Sequence, residues 1–149
     1  MSDVDNVKNF MDYGPQLGRR FRAIKFWFVM RYFGVEGLRA RIREHVALAR
    51  EFAEWVDLSP DFERLAPVPL GVICFRARPQ APGDEHYLNA LNERLMEEVN
   101  RRGKVYLSHT KLNGKFTLRL AIGNIRTTRE HVKLAWDELN EVLARETKG

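Results

Sequence analysis

Apolar residues recur at helical spacing through the first third of the chain. Between Gln16 and Phe33 they lie on two opposite faces of a helix: Leu17, Phe21, Ile24, Phe28 and Tyr32 on one, and Phe26, Met30 and Phe33 on the other. A helix that borders a single core keeps one polar side, so this helix is expected to pack between two bodies, such as two domains or two subunits. Gly34 is predicted to break it, and a second amphipathic helix follows over Val35–Leu58.

After Ser59 and Pro60, which end the second helix, the pattern changes to short runs typical of β-strands. The predicted elements are strands over Glu63–Val68 and Leu70–Arg78, a loop at Pro79–Asp84, a helix closed by Gly103, two strands joined by an Asn113–Gly114 turn, and a helix that begins at a capping box over Thr127–Glu130. The second strand pair begins near Val105 and repeats Phe116, Leu118, Leu120 and Ile122 with period two.

This order predicts an α+β fold in which a two-helix N-terminal arm precedes a four-stranded antiparallel sheet with helices on one face (β-β-α-β-β-α). Residues 1–58 are assigned to an entering loop and the arm. Residues 59–149 are assigned to a small α+β domain.

Composition is that of a folded protein, with 44% hydrophobic and 30% charged residues among 149. The net charge of +5 would permit nucleic acid as a partner, but the arginines between Arg19 and Arg43 point around a helix in several directions, and no nucleic-acid site is predicted. No apolar run is long enough to cross a bilayer, and no secretory signal precedes the arm, so no membrane contact and a cytoplasmic location are expected. The single cysteine, Cys74, excludes an internal disulfide and is expected to be buried in its strand.

Candidate chemistry is sparse. The four histidines are dispersed without the spacing of metal ligands, so no metal site is predicted. Arg119 alternates with Leu118 and Leu120, and its guanidinium is expected on the opposite face of the sheet from these core residues. Three environments remain open for it: a ligand, a nearby acid, or solvent.

Several sequence blocks carry a resemblance to a known family. They are, in chain order, QLGRRFRAIKFWFVMRYFGVEGL from Gln16, LGVICFR from Leu70, LNERLMEEVNRRGKVYLSHT from Leu91 and KFTLRLAIGN from Lys115. Together they resemble the C-terminal part of the group II pyridoxal-phosphate-dependent amino-acid decarboxylases, in particular those that act on aromatic L-amino acids. The resemblance implies the small C-terminal domain of fold-type I pyridoxal-phosphate (PLP) enzymes.

The same resemblance implies what this chain contributes to an intact enzyme. The Schiff-base lysine and most of the cofactor site would lie in a large domain outside it, so no catalytic or cofactor-binding residue is assigned here, and the chain alone is expected to be inactive. Arg119 would lie near the carboxylate of the amino-acid substrate. The arm would contact the large PLP-binding domain and a second copy, as a homodimer or a helix-exchanged oligomer, through Arg19, Arg20, Arg22, Phe26, Trp27 and Met30.

A rival hypothesis is a stand-alone ferredoxin-like binding or interaction module, because a four-stranded sheet with two helices is also used by small RNA- and metabolite-binding domains. The sheet lacks the paired aromatic residues that RNA-recognition domains present, and the aromatic residues are concentrated on the arm.

Overall fold

The computed structural model describes residues 21–79 and 83–147. Their elements follow in the order α1 (Ala23–Leu58), β1 (Phe62–Arg64), β2 (Val72–Ala77), α2 (Glu85–Arg101), β3 (Ser108–Leu112), β4 (Lys115–Ala121) and α3 (Arg129–Glu146). The predicted α+β order is confirmed. The two predicted arm helices are the two parts of α1, which is interrupted at Gly34 (φ 64°, ψ 179°), a backbone conformation that glycine adopts without a steric penalty.

The chain divides into two compact units between Leu38 and Arg39. This division falls inside α1, and the assignment of residues 1–58 to the arm and 59–149 to the small domain stays a prediction. The physical basis of the division is the buried face of the second part of α1, where Leu48, Phe52 and Val56 belong to the same hydrophobic core as the strands.

The four strands form one antiparallel sheet in the order β1-β2-β4-β3. In the register between β2 and β4, Val72 pairs with Ala121 and Phe75 pairs with Leu118. Alternate residues of the two central strands are fully or nearly fully buried on one face, namely Ile73, Phe75, Ala77, Phe116, Leu118 and Leu120. This face belongs to the core, and the opposite face is called the outer face below.

Aromatic rings join α1 and α3 to the sheet. The Phe52 ring meets those of Phe75 and Trp136 at centroid distances of 5.2 and 5.5 Å, both edge to face. Trp136 also lies 5.2 Å from the ring of Phe62. Such pairs add about 0.5–1.5 kcal/mol each to the free energy gained by burying the rings.

Three strands are shorter than the sequence predicted, and β2 spans Val72–Ala77 rather than Leu70–Arg78. β1 ends at Arg64 rather than at Val68. The N of Leu65 still donates to the O of Cys74 at 2.9 Å, whereas Pro67 has no N–H with which to continue the series. β3 begins at Ser108 rather than near Val105. There the Asn100 side chain bonds both backbone groups of Leu107, accepting from its N at 2.7 Å and donating to its O at 2.9 Å.

The start of α3 also differs from the prediction by one residue. The N-cap is Thr128, and its backbone N donates to Nδ1 of His131 at 3.1 Å. The predicted box, Thr127 with Glu130, is therefore wrong in register. In the usual capping box a Glu or Gln side chain accepts the N-cap N–H, and here an imidazole nitrogen accepts it. The sequence prediction looked only for Glu or Gln at this position and therefore missed His131.

Candidate functional site

Arg119 lies near the middle of the sheet on its outer face. In the strand register it is directly opposite Cys74 of β2 and Ser108 of β3. Its neighbours along β4, Leu118 and Leu120, are buried in the core, while Arg119 is half-buried. The predicted orientation of Arg119 is confirmed.

The side chains around Arg119 on this face are small. Besides Cys74 and Ser108, the outer face carries Thr117 and Ala121 on the same strand. Cys74 is half-buried rather than buried, which corrects the prediction. The sequence could not separate the two faces of β2 because Val72–Phe75 is an unbroken apolar run, and only the pairing with Arg119 assigns Cys74 to the outer face.

Arg119 and Arg76 share the outer face but differ in their partners. The side chain of Arg76 is only 2% exposed and donates to the carboxylates of Glu63 and Glu85. Burial alone would raise the pKa of Glu63, but hydrogen bonds from Arg76 and Arg78 outweigh it and hold that pKa below its ordinary value. Within residues 21–79 and 83–147, the side chain of Arg119 has no carboxylate partner and no hydrogen bond.

A half-buried guanidinium without an acid partner is suited to an external carboxylate. Its five N–H donors form a planar fork that matches the two oxygens of a carboxylate, and partial burial strengthens the attraction relative to water. The arrangement around Arg119 therefore has the chemistry of a carboxylate-binding face.

Two of the cavities in the second unit are lined in part by a lysine. A groove of about 440 Å³ at the end of β4 has an apolar floor that includes Ile122 and Val132, with Arg126 and His131 among its polar lining. A polar cavity of about 590 Å³ is lined by charged residues that include Arg76 and Lys115. Arg119 lines neither of these two cavities.

Pyridoxal phosphate requires a lysine for a Schiff base and a carboxylate at its pyridine nitrogen. Lys104, in the apolar groove, is held by Glu138 at 2.5 Å. Lys115 shares the polar cavity with Glu63 and Glu85, but both of those carboxylates are bound to Arg76. The described residues therefore do not fit the cofactor, and its chemistry is not assigned to them.

Residues 21–79 and 83–147 contain neither a candidate metal site nor a candidate membrane span. Among them, no group of three His, Cys, Asp or Glu side chains could hold a metal ion. No helix in the described part of the chain combines the length and the hydropathy needed to cross a membrane.

The predicted interface residues belong to the first unit. Arg19 and Arg20 lie outside the described residues. Phe26, Trp27 and Met30 are 66%, 55% and 43% exposed, and Arg22 is exposed as well. Phe21, Phe28 and Tyr32 are also exposed, so the aromatic residues on both faces of this helix are available to a partner.

Sequence reasoning missed the role of three asparagines on α2. Asn89, Asn92 and Asn100 each use one side-chain amide to accept from a backbone N–H and donate to a backbone C=O of the sheet region. Helical periodicity treats asparagine as a solvent-facing residue, yet Asn92 is completely buried. Its position could have indicated this burial, because Asn92 lies four residues after Leu88 and three before Leu95 and so falls on the buried face of α2.

Known proteins resemble this chain in sequence and fold. Tyrosine decarboxylase 2 of Arabidopsis thaliana is 40% identical over 149 residues, which is 100% of this chain and 27% of the relative. Phenylacetaldehyde synthase of Arabidopsis thaliana is 41% identical over 140 residues, 94% of this chain and 28% of the relative. The crystal structure of Oryza sativa TDC with PLP and tryptamine matches with a TM-score of 0.79 and 36% identity, over 90% of this chain and 29% of that one.

The chain thus spans less than a third of the length of these relatives. Its α+β arrangement matches the C-terminal domain of PLP decarboxylase structures. The sequence profile described as "Pyridoxal-dependent decarboxylase conserved domain" matches residues 1–78, just over half of the chain. With the fold, the order of the sequence blocks and the profile in agreement, the chain belongs to the pyridoxal-dependent decarboxylase family.

Proposed function

We propose that this chain is the C-terminal part of a PLP-dependent decarboxylase of aromatic L-amino acids, and that Arg119 binds the carboxylate of the substrate. The observation that carries the role of Arg119 is its half-buried guanidinium without an acid partner among the described residues. The similarity to tyrosine decarboxylase and phenylacetaldehyde synthase supports an aromatic substrate. Both an amine-forming and an aldehyde-forming decarboxylation are compatible with these relatives.

In this proposal Arg119 binds and orients the substrate carboxylate. PLP, which would be held by the large domain of the intact enzyme, would supply the electron sink. The pairing of β4 with β2 and β3 fixes the backbone of Arg119, and a bidentate pair would fix the direction of the carboxylate as well as its position. A lysine at the same position would keep the charge but lose the planar fork.

The test is the substitution Arg119→Lys in the intact enzyme. A charge-assisted bidentate pair contributes about 1.5–3 kcal/mol, so KM for the amino acid is expected to rise roughly 10- to 100-fold. Carbon dioxide, amine and aldehyde should all be measured. The matched control is Arg94→Lys, because Arg94 is an exposed arginine that pairs with Glu146 at 3.0 Å and is not near Arg119 in sequence. Equal kinetics for wild type and Arg119→Lys would refute the proposed role.

The exposed aromatic helix of the first unit is proposed to contact the large PLP-binding domain and a second copy of the enzyme. Its support is the exposure of large apolar side chains, which soluble proteins normally cover. Trp27→Glu in the intact enzyme is expected to weaken dimerisation in analytical ultracentrifugation, whereas Tyr106→Glu, at a position 82% exposed in the second unit, should leave it unchanged. A dimer equally stable in both variants would contradict this interface.

Two further expectations complete the proposal. The purified 149-residue chain should release no carbon dioxide from aromatic amino acids even with added PLP, because neither cavity described above combines an unpaired lysine with an unpaired carboxylate. The intact enzyme is proposed to be cytoplasmic, and fractionation of the source cells would check this.

A further inference from the structure

One end of the sheet is opened by α2. The last paired residues of β2 and β4 in the register are Phe75 and Leu118. If the two strands continued to pair, Ala77 would lie opposite Phe116 two residues farther on. In the structure the N and O of Ala77 and the N of Phe116 form hydrogen bonds with asparagines of α2 instead.

The bonds are well formed on both strands. The N of Ala77 donates to Oδ1 of Asn92 at 2.7 Å, and Nδ2 of Asn92 donates to the O of Ala77 at 2.9 Å. The N of Phe116 donates to Oδ1 of Asn89 at 2.6 Å, and Nδ2 of Asn89 donates to the O of Gly114 at 3.1 Å. These two asparagines, three residues apart and so on one face of α2, are called the amide wedge.

We propose that Asn89 of the amide wedge is a positioning residue for Arg119, an inference that rests on the proposed function of Arg119. Phe116, which Asn89 holds, precedes Arg119 by three residues on the same strand. Arg119 has no side-chain partner of its own among the described residues, and its backbone is held by the pairing of β4 with Cys74 of β2 and Ser108 of β3. Asn89 adds to the pairing of this end of β4 with β3, because it bonds the O of Gly114 and the N of Phe116 on the side where β2 no longer pairs.

The amide wedge also fixes the partner strand. Asn92 is completely buried and satisfies each of its polar atoms, since its Nδ2 also donates to the O of Leu88 at 2.8 Å. Removing Asn92 would orphan two backbone groups of Ala77 in the interior, which endangers folding. Asn89 is half-buried, and water can replace part of what it supplies, so it is the residue to substitute.

The experiment separates positioning from stability. Asn89→Ala, Asn89→Asp and Asn140→Ala are introduced into the intact enzyme, the first also together with Arg119→Gln. Asn140 is the matched control, because its Nδ2 donates at 2.7 Å only to Trp136 of its own helix. KM, kcat and thermal midpoint are measured for each, and the Arg119 Nε–H resonance is recorded in the isotope-labelled 149-residue chain.

Asn89→Ala is expected to raise KM about fivefold with little change in kcat, and to add nothing further in the Arg119→Gln background. Asn89→Asp keeps the acceptor for Phe116 and should recover part of the loss. The Arg119 resonance should move in Asn89→Ala and stay in place in Asn140→Ala.

Three results would overturn the inference: a lower thermal midpoint with unchanged KM, the same KM effect in both backgrounds, or an unmoved Arg119 resonance. If Arg119→Gln itself leaves KM unchanged, the proposed function fails. The resonance then still decides whether Asn89 sets the location of Arg119.

Discussion

Gly71 precedes β2 at a point where its backbone touches the end of β4. The N of Ile122 donates to the O of Gly71 at 2.7 Å. A Cβ atom added to Gly71 would lie 2.5 Å from the O of Ile122, whereas Cβ contacts below 3.0 Å essentially never occur. The obstacle is backbone rather than a flexible side chain, so Gly71→Ala must push the two strands apart by about 0.5 Å, the difference between these two distances.

The expected cost follows from three terms. Overpacking costs roughly 1–3 kcal/mol, and the strained hydrogen bond loses part of its contribution of about 1 kcal/mol. Alanine offsets roughly 0.4–1 kcal/mol of this by reducing the conformational freedom of the unfolded chain. The net loss in the free energy of unfolding is therefore about 2 kcal/mol, which moves a urea midpoint down by about 1 M.

Urea unfolding followed by tryptophan fluorescence measures this difference. Gly123→Ala is the matched control, because Gly123 lies just after the same contact and its added Cβ would meet no atom within 4 Å. That control should be stabilised by about 0.4–1 kcal/mol. A Gly71→Ala midpoint at or above that of the wild type would refute the steric argument.

Three more substitutions follow from the described contacts. Phe52→Ala empties a fully buried site against Phe75 and Trp136 and should cost about 3–5 kcal/mol in the same urea assay. Hydrogen bonds from Lys104 and then Arg102 hold the pKa of Glu138 below its ordinary value, so its contribution is present at neutral pH and is lost as the pH falls through that lowered pKa. Glu138→Gln should thus destabilise at neutral pH, and its unfolding free energy should converge with that of the wild type in acid. Asn113 has φ 52° in the hairpin turn, so Asn113→Val should cost about 1–2 kcal/mol in thermal unfolding, whereas Asn113→Gly should be tolerated.

The elements that sequence reasoning predicted correctly are those whose signals are local. Gly34 and Gly103 occupy positive-φ conformations at the predicted helix breaks, with φ 64° and 71°. The Asn113–Gly114 turn has positive φ at both residues, as a two-residue hairpin turn requires. Each of these depends on a residue and its immediate neighbours, which a single sequence displays.

The errors arise where an element ends because of a distant group. β3 begins late because Asn100, on another element, takes both hydrogen bonds of Leu107. The face occupied by Cys74 depends on pairing with Arg119, far along the chain. Neither the bonds of Asn100 nor the pairing of Cys74 with Arg119 leaves a periodic pattern in the sequence. The sequence therefore predicted that Arg119 lies on one face of the sheet, but it could not predict which side chains surround it.

A comparison of Arg76 with Arg119 tests whether Arg119 contributes to the stability of the fold or is available to bind a ligand. Both lie on the outer face, but Arg76 is neutralised by Glu63 and Glu85, while no described acid neutralises Arg119. Partial burial of an unpaired charge costs free energy, so Arg119→Met in the 149-residue chain should leave its stability unchanged or raise it. Arg76→Met should lower it by at least about 2 kcal/mol, because it leaves two carboxylates without their partner. Urea unfolding distinguishes the two, and an equal loss in both variants would mean that Arg119 supports the fold rather than a substrate.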